Sequence, residues 1–306
     1  MLNFISPSIA FSITGFTMIL VLLTFGDRLE NHYQASLAII SYLKSDQIKK
    51  VCVVTDRPNF YQYFGEQVEL ITINEQIMND WKGDHDFFWR IKMKGIEAAT
   101  LNNPDQHILY VDSDTVYVDK IGELMIGLEA GSSYMHELEG KLSQLPSKTT
   151  KNMWKSLNGK SFAGLRIDSD AEMWNAGVIA LPKSHAIETI QYAIELCDQM
   201  CATNCTRRLI EQFAFSIALK DKLGLAAAEN VVAHYWGNKP NWNTKITEFF
   251  MYSKLNGLTF EQDLERFEPE DFIQIPTVLR EKNTKHKLQR LLNKVMKPKE
   301  IRLFNR

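Results

Sequence analysis

Two hydrophobic rhythms alternate along the chain. Apolar-rich runs at 19–25, 51–55, 68–73 and 108–111 read as strands. Between them lie stretches with apolar residues at three- and four-residue spacing. In 31–43, Leu37, Ile40 and Leu43 share one helix face, and 88–101 reads as a second helix. Nearly continuous apolar strands separated by helices predict an α/β fold with a mostly parallel, Rossmann-like sheet covered by helices on both faces. Ligands of such sheets bind outside the carboxyl ends of the strands. Asp27, Asp56 and Asp112 all fall just after strands.

From 128 to 172 the periodicity lapses into Gly131-Ser132-Ser133, Pro146-Ser147-Lys148 and Asn158-Gly159-Lys160, which predicts an inserted region. Order returns as a strand at 174–181, helices at 184–202 and 206–222, and a short last strand at 231–235. The expected organisation is one domain over 17–260, divided into a nucleotide-side half (17–127), the insertion (128–172) and a second half (173–260). An extension follows over 261–306.

Composition narrows the field. At 306 residues, 45% hydrophobic and 24% charged, the chain can bury a sizeable core. A net charge of −2 carries no nucleic-acid signature. The first 26 residues hold no charge, yet no basic segment opens them and 19–25 is needed as a strand. Neither a signal peptide nor a membrane span is expected there, and 1–16 has no assigned role. Cys197, Cys201 and Cys205 recur on one helix face without a histidine at ligand spacing, so they read as packing residues. The C-terminus is different in kind. From Lys285 onward eight basic residues face Glu300 alone, and Leu288, Leu291, Leu292, Val295 and Met296 follow helical spacing. Such a basic amphipathic tail over 285–306 fits either an anionic membrane surface or a helix packed on the catalytic domain with a solvated basic face; the membrane surface is the expectation taken.

The candidate chemistry begins at Asp112-Ser113-Asp114, at the end of the 108–111 strand. In extended backbone the two carboxylates would share a side about 6–7 Å apart and repel by roughly 2–3 kcal/mol. A proton, a basic side chain or a metal ion should offset that. One reading is phosphoryl transfer: an apolar strand followed by Asp-x-Asp-x-Thr resembles the first motif of haloacid-dehalogenase phosphohydrolases, with Asp112 as nucleophile. The later acidic pair that such chemistry needs is not found near 231–235. The other reading is sugar transfer. His234 ends a strand and suits Mn²⁺ better than Mg²⁺. Gly237 allows close approach of backbone to a phosphate, and Lys239 can neutralise it. Asn175-Ala176-Gly177 places an amide beside small residues, and Arg90 opens the helix before the Asp strand.

Together these features resemble the retaining glycosyltransferases of the glycogenin and bacterial lipopolysaccharide galactosyltransferase type, from about residue 19 to 242. The resemblance rests on Thr24-Phe25-Gly26-Asp27, Arg90 with Lys92, Asp112-Ser113-Asp114, Asn175-Ala176-Gly177-Val178 and His234…Gly237…Lys239-Pro240. It implies the GT-A fold and a nucleotide-sugar donor, usually UDP-linked. It implies Mn²⁺, with Mg²⁺ second, held by Asp112, Asp114 and His234. Donor contacts would come from Thr24, Asp27, Arg90, Ser113, Asn175, Ala176, Gly237 and Lys239. Glu211 and Gln212 would occupy the catalytic position near the reacting sugar. The acceptor would be a glycan or lipid-linked hydroxyl, and the location cytoplasmic, peripheral on the membrane. The chain departs from the family where one residue is missing before Lys239 and Asn241 intervenes before Trp242, so the phosphate loop should differ in shape. A catalytically silent nucleotide-sugar binding module is the reading from another class; turnover separates it from the enzyme.

Overall fold

The computed structural model describes residues 17–279 and, beyond them, Leu288, Leu291, Leu292, Val295 and Met296. The strands are β1 (Met18–Thr24), β2 (Ile48–Thr55), β3 (Val68–Thr72), β4 (His107–Val111), β5 (Thr115–Tyr117), β6 (Ser132–Met135), β7 (Leu138–Lys141), β8 (Ser161–Phe162), β9 (Leu165–Arg166), β10 (Glu172–Trp174), β11 (Val178–Leu181), β12 (Gly224–Ala227) and β13 (Val232–His234). The helices are α1 (Leu29–Leu43), α2 (Glu75–Trp81), α3 (Arg90–Asn102), α4 (Ile121–Glu129), α5 (Lys148–Leu157), α6 (Ala186–Cys201), α7 (Ile210–Lys222), α8 (Lys239–Asn256), α9 (Phe260–Arg266) and α10 (Glu270–Ile273).

A seven-stranded sheet in the order β12-β6-β11-β4-β1-β2-β3 forms the centre. Its pairings are parallel except at β11, which runs antiparallel to both β4 and β6. The strands read as uninterrupted apolar runs because both faces are covered. Ile19, Val21, Ile108, Tyr110, Ile179 and Leu181 join one buried cluster with α3, α6 and α7. Their neighbours Met18, Leu20, Leu22, Leu109, Val111, Val178 and Ala180 join the other with α1, α4 and α8. The period of two therefore divides each strand between two cores. Phe260, Phe267 and Phe272 belong to the second cluster, so the chain beyond 260 continues into the same core.

Three expectations change. The stretch 128–172 is not wholly an insertion: β6 lies inside the central sheet, and the excursion from it is the β7-to-β10 segment. The strand expected at 174–181 is two strands, because Asn175-Ala176-Gly177 turns the chain between β10, which pairs with β7, and β11. The strand at 231–235 lies outside the central sheet; β13 pairs with β5 as a two-stranded ribbon. Cys197, Cys201 and Cys205 are buried, unbridged packing residues.

Of the expected basic tail, Leu288, Leu291, Leu292, Val295 and Met296 are all exposed. Its basic residues lie outside the described residues, as does the 1–16 segment. Among the described residues no helix is long and apolar enough to cross a membrane.

Candidate metal centre

The site is built where β4 ends. Asp112 and Asp114 do not continue an extended strand; they lie in a tight turn between β4 and β5. The Thr115 hydroxyl donates to the Asp112 carbonyl (2.9 Å), and the Tyr235 amide donates to the Asp114 carbonyl (3.0 Å). The convergence of the carboxylates thus comes from the turn rather than from pleat geometry. The β5–β13 ribbon pairs Thr115 with His234 and brings the imidazole to the same point from far along the chain.

Asp112, Asp114 and His234 present ligand atoms that all lie within 4.8 Å of one another. The donor set, two carboxylate oxygens and one imidazole nitrogen, suits a borderline divalent ion such as Mn²⁺ and tolerates Mg²⁺. His234 Nε2 is buried, lacks a hydrogen-bond partner and lies 3.6 Å from Asp114 Oδ2. A buried nitrogen without a partner, beside two carboxylates, is a position that a bound cation would satisfy, so the residues fit a divalent metal.

The like charges are already compensated. Asp112 Oδ1 accepts from Tyr110 OH (2.7 Å) and lies 3.3 Å from Lys92 Nζ. Asp114 Oδ2 lies 2.8 Å from Lys239 Nζ. Burial pushes the Asp114 carboxyl up, but contacts with His234 and Lys239 outweigh it and hold it well below the usual carboxylate range. Lys92 is almost wholly buried; its ammonium donates to the Ala176 carbonyl (2.6 Å) and lies within ion-pair distance of Glu211 Oε1 (3.1 Å) and Asp112 Oδ1. Burial opposes its charge, yet the two carboxylates raise its pKa above the ordinary value. Glu211 is the reverse: burial pushes its carboxyl up, against the pull of Lys92.

Two cavities meet here. The first, about 280 Å³, is lined by Thr24, Phe25, Asn31 and Phe88. The second, about 480 Å³, is lined by Asn175, Ala176, Arg208, Glu211, Gln212, His234 and Trp236. Trp89, Lys92, Asp112, Asp114 and Lys239 border both, and Ser113 lines the first.

Ten of the residues expected at the site therefore line these cavities; Asp27, Arg90 and Gly237 do not. Arg90 turns the other way: its guanidinium donates to Asp198 on α6 (2.7 and 3.0 Å) and to the Trp81 carbonyl (2.9 Å). Residues two apart on a helix point to widely different sides, so only one of Arg90 and Lys92 can face β4, and it is Lys92. Asp27 is exposed and paired with Arg57 at 2.6 Å. Gly237 bridges to Val278, where a Cβ would come within 2.9 to 3.0 Å, so the crossing chain explains the glycine. Thr24 lines the first cavity but is buried, its hydroxyl bonded to Tyr61 OH at 2.5 Å. Trp89, Arg208 and Trp236 were not foreseen at the site, and Lys92, named with Arg90 in the resemblance, was given no role there. For Lys92 the available signal was a lysine between Ile91 and Met93, on the face that the helix buries.

In chain course the molecule is similar to several solved glycosyltransferases. Mouse xyloside xylosyltransferase 1 in its apo form matches with a TM-score of 0.45 at 12% identity, over 69% of this chain and 84% of that one. The galactosyltransferase LgtC, in complex with donor and acceptor sugar analogues, matches with a TM-score of 0.46 at 12% identity, over 69% and 74%. An active-site mutant of LgtC matches with a TM-score of 0.48 at 12% identity, over 69% and 73%. No protein-family model and no curated protein sequence matches the chain.

Proposed function

We propose that the chain is a metal-dependent glycosyltransferase that moves a sugar from a nucleotide-sugar donor, UDP-linked in the first instance, to a glycan or lipid-linked hydroxyl. The observation that carries this reading is the Asp112, Asp114 and His234 triad at the junction of two cavities, with Lys239 at its edge. A nucleoside would occupy the first cavity, beside Thr24 and Phe88, and the transferred sugar the second, beside Asn175 and Gln212. The diphosphate between them would lie at the carboxylates and Lys239. A divalent cation, Mn²⁺ ahead of Mg²⁺, would act as a Lewis acid on the leaving diphosphate.

The chain's own groups have separable tasks. Lys239 is half-exposed and can turn from Asp114 to a phosphate oxygen. Tyr110 donates to Asp112 Oδ1 and the Lys92 ammonium lies 3.3 Å from it, which makes Oδ2 the freer oxygen for a cation. Glu211 is held in the Lys92 ion pair and is not a free nucleophile. Gln212 Nε2 is buried without a partner and offers a donor to a sugar hydroxyl. These features favour front-side attack by the acceptor hydroxyl, with retention of the anomeric configuration. The phosphohydrolase alternative lacks support, since no second acidic cluster able to hold a metal occurs among the described residues.

A panel of nucleotide sugars tests the proposal, read by thermal stabilisation and by sugar release or transfer with and without Mn²⁺. At least one donor should stabilise the chain and turn over only with metal, and product NMR should report the retained anomer. Full turnover in excess EDTA would sink the metal role. Hydrolysis of simple phosphate esters that is lost in Asp112→Asn would replace the reading with the phosphohydrolase.

The exposed apolar side chains of 288–296 and the basic residues of 285–306 support reversible docking of the tail on an anionic membrane from the cytoplasmic side. Sedimentation with anionic and neutral liposomes checks it; equal binding by full-length chain and chain cut after Arg280 counts against it.

A further inference from the structure

We infer that Asn175 and Gly177 are positioning residues for His234: Asn175 fixes the imidazole as the tautomer protonated on Nδ1, and Gly177 leaves the space in which the ring sits. The inference rests on the metal reading above and changes what the Asn-Ala-Gly turn is for.

The argument begins with a backbone amide. Gly177 N–H donates to Asn175 Oδ1 at 2.9 Å. A backbone N–H can only donate, so the atom it meets is the amide oxygen and the side chain has one orientation. That same oxygen lies 3.1 Å from His234 Nδ1. An amide oxygen cannot donate, so the hydrogen between them belongs to Nδ1. A neutral imidazole then carries its lone pair on Nε2, the buried nitrogen that has no partner and faces Asp114. The reverse tautomer would set two lone pairs against each other at Nδ1 and aim an N–H at the cation site.

The ring is held as well as protonated. A Cβ at position 177 would lie 2.1 to 2.8 Å from three imidazole atoms, an overlap no side chain could absorb. His136 packs edge-to-face against the ring, with ring centroids 5.1 Å apart, and its own Nε2 lies 3.2 Å from the Val232 carbonyl. The turn itself is anchored, since the Asn175 amide donates to the Glu137 carbonyl (2.8 Å) and the His136 amide to the Asn175 carbonyl (3.1 Å). The Asn175 oxygen is thus occupied twice, and only its Nδ2, 3.4 Å from Glu139, could still serve a sugar. A hydrogen-bonded partner on the far nitrogen of a metal-ligating histidine sets its tautomer and raises its basicity.

Two readouts on the full chain test this. The first is ¹⁵N–¹H long-range NMR of the histidine side chains without metal, assigned with His234→Ala; His234 should be protonated on Nδ1 alone in the wild type and mixed in Asn175→Ala. The second is Mn²⁺ titration by EPR. Asn175→Ala and Gly177→Ala should weaken Mn²⁺ binding by about 10- to 100-fold, while Asn175→Asp, which keeps an acceptor for both N–H groups, should stay within a few-fold of wild type. In a His234→Ala background the Asn175→Ala effect should vanish. An Nε2–H tautomer in the wild type overturns the inference. So does Asn175→Asp binding as weakly as Asn175→Ala, or an undiminished Asn175→Ala affinity. Wild type that binds no Mn²⁺ overturns this inference and the metal reading together. Absence of sugar transfer alone overturns only the proposed function, because both readouts work without a donor.

Discussion

Two ends of one five-residue strand hold histidine–carboxylate clusters of opposite character. At the start of β4, His107 is buried, and both ring nitrogens are used: Nε2 meets Glu129 at 2.7 Å and Nδ1 accepts from the Lys183 amide at 3.2 Å. Just past the end of β4, His234 is equally buried beside Asp114, but its Nε2 has no partner. The first cluster closes the bottom of the sheet, and the second opens onto two cavities. Burial of a titratable group therefore does not mark the functional end. Unmet hydrogen-bonding capacity is the better sign where it converges with carboxylates on a cavity; alone it does not suffice, since Gln47 Oε1 and Tyr235 OH are also buried without a partner and line neither cavity.

Breaking the two ends separately should give different losses. The largest effect is expected for Asp114→Asn or His234→Ala: transfer rates should fall about 10³-fold or more, and the metal-free chain should lose some stability as well, since His234 and Lys239 stabilise the buried Asp114 carboxylate. Initial-rate assays paired with urea unfolding check this, and an equal loss in His107→Gln would erase the distinction between the ends. Lys92→Met should then cost stability by about 3–5 kcal/mol, since it strands Glu211 and Asp112 beside a buried space. The double variant Lys92→Met/Glu211→Leu should recover most of that loss in urea unfolding.

His136 sharpens the comparison through pH. Burial and the neighbouring His234 push its imidazole down to about 4, below the ordinary value near 6.5. The unfolded chain therefore takes up this proton first. The native state loses stability as pH falls from about 6.5 toward about 4, by about 3 kcal/mol in all, and loses no more from this group below that. Urea midpoints across that range should flatten in His136→Phe by the same amount. The smallest effect belongs to the closed end. His107→Gln should cost about 1–2 kcal/mol of stability and leave Mn²⁺ affinity unchanged by EPR titration.

Much of the fold was legible because strands buried on both faces leave long apolar runs. β1, β2 and β4 fall where those runs lie, and helices cover both faces as expected. β6 and β12 were not legible. They are four-residue elements with Ser, Gly and Ala in them, and only the neighbouring strands make them part of a sheet. At the site, the triad and Lys239 each stood out by residue type and place after a strand. Arg90 misled because a helix start shows which residues are charged but not which side faces the sheet.

The sequence by itself determined the alternation of apolar runs, hence the layered α/β plan, and it placed carboxylates after a strand where such plans bind ligands. Tertiary structure alone decided which groups converge. His234 reaches Asp114 through a β5–β13 ribbon that joins residues more than a hundred positions apart. Lys92, rather than Arg90, is turned onto Asp112 by the packing of α3. The tautomer of His234 depends on an amide oxygen brought up by a turn in a third segment. Local sequence sets propensity and periodicity over a few residues. Electrostatic pairing and hydrogen-bond satisfaction act through space, and the folded chain alone defines those distances.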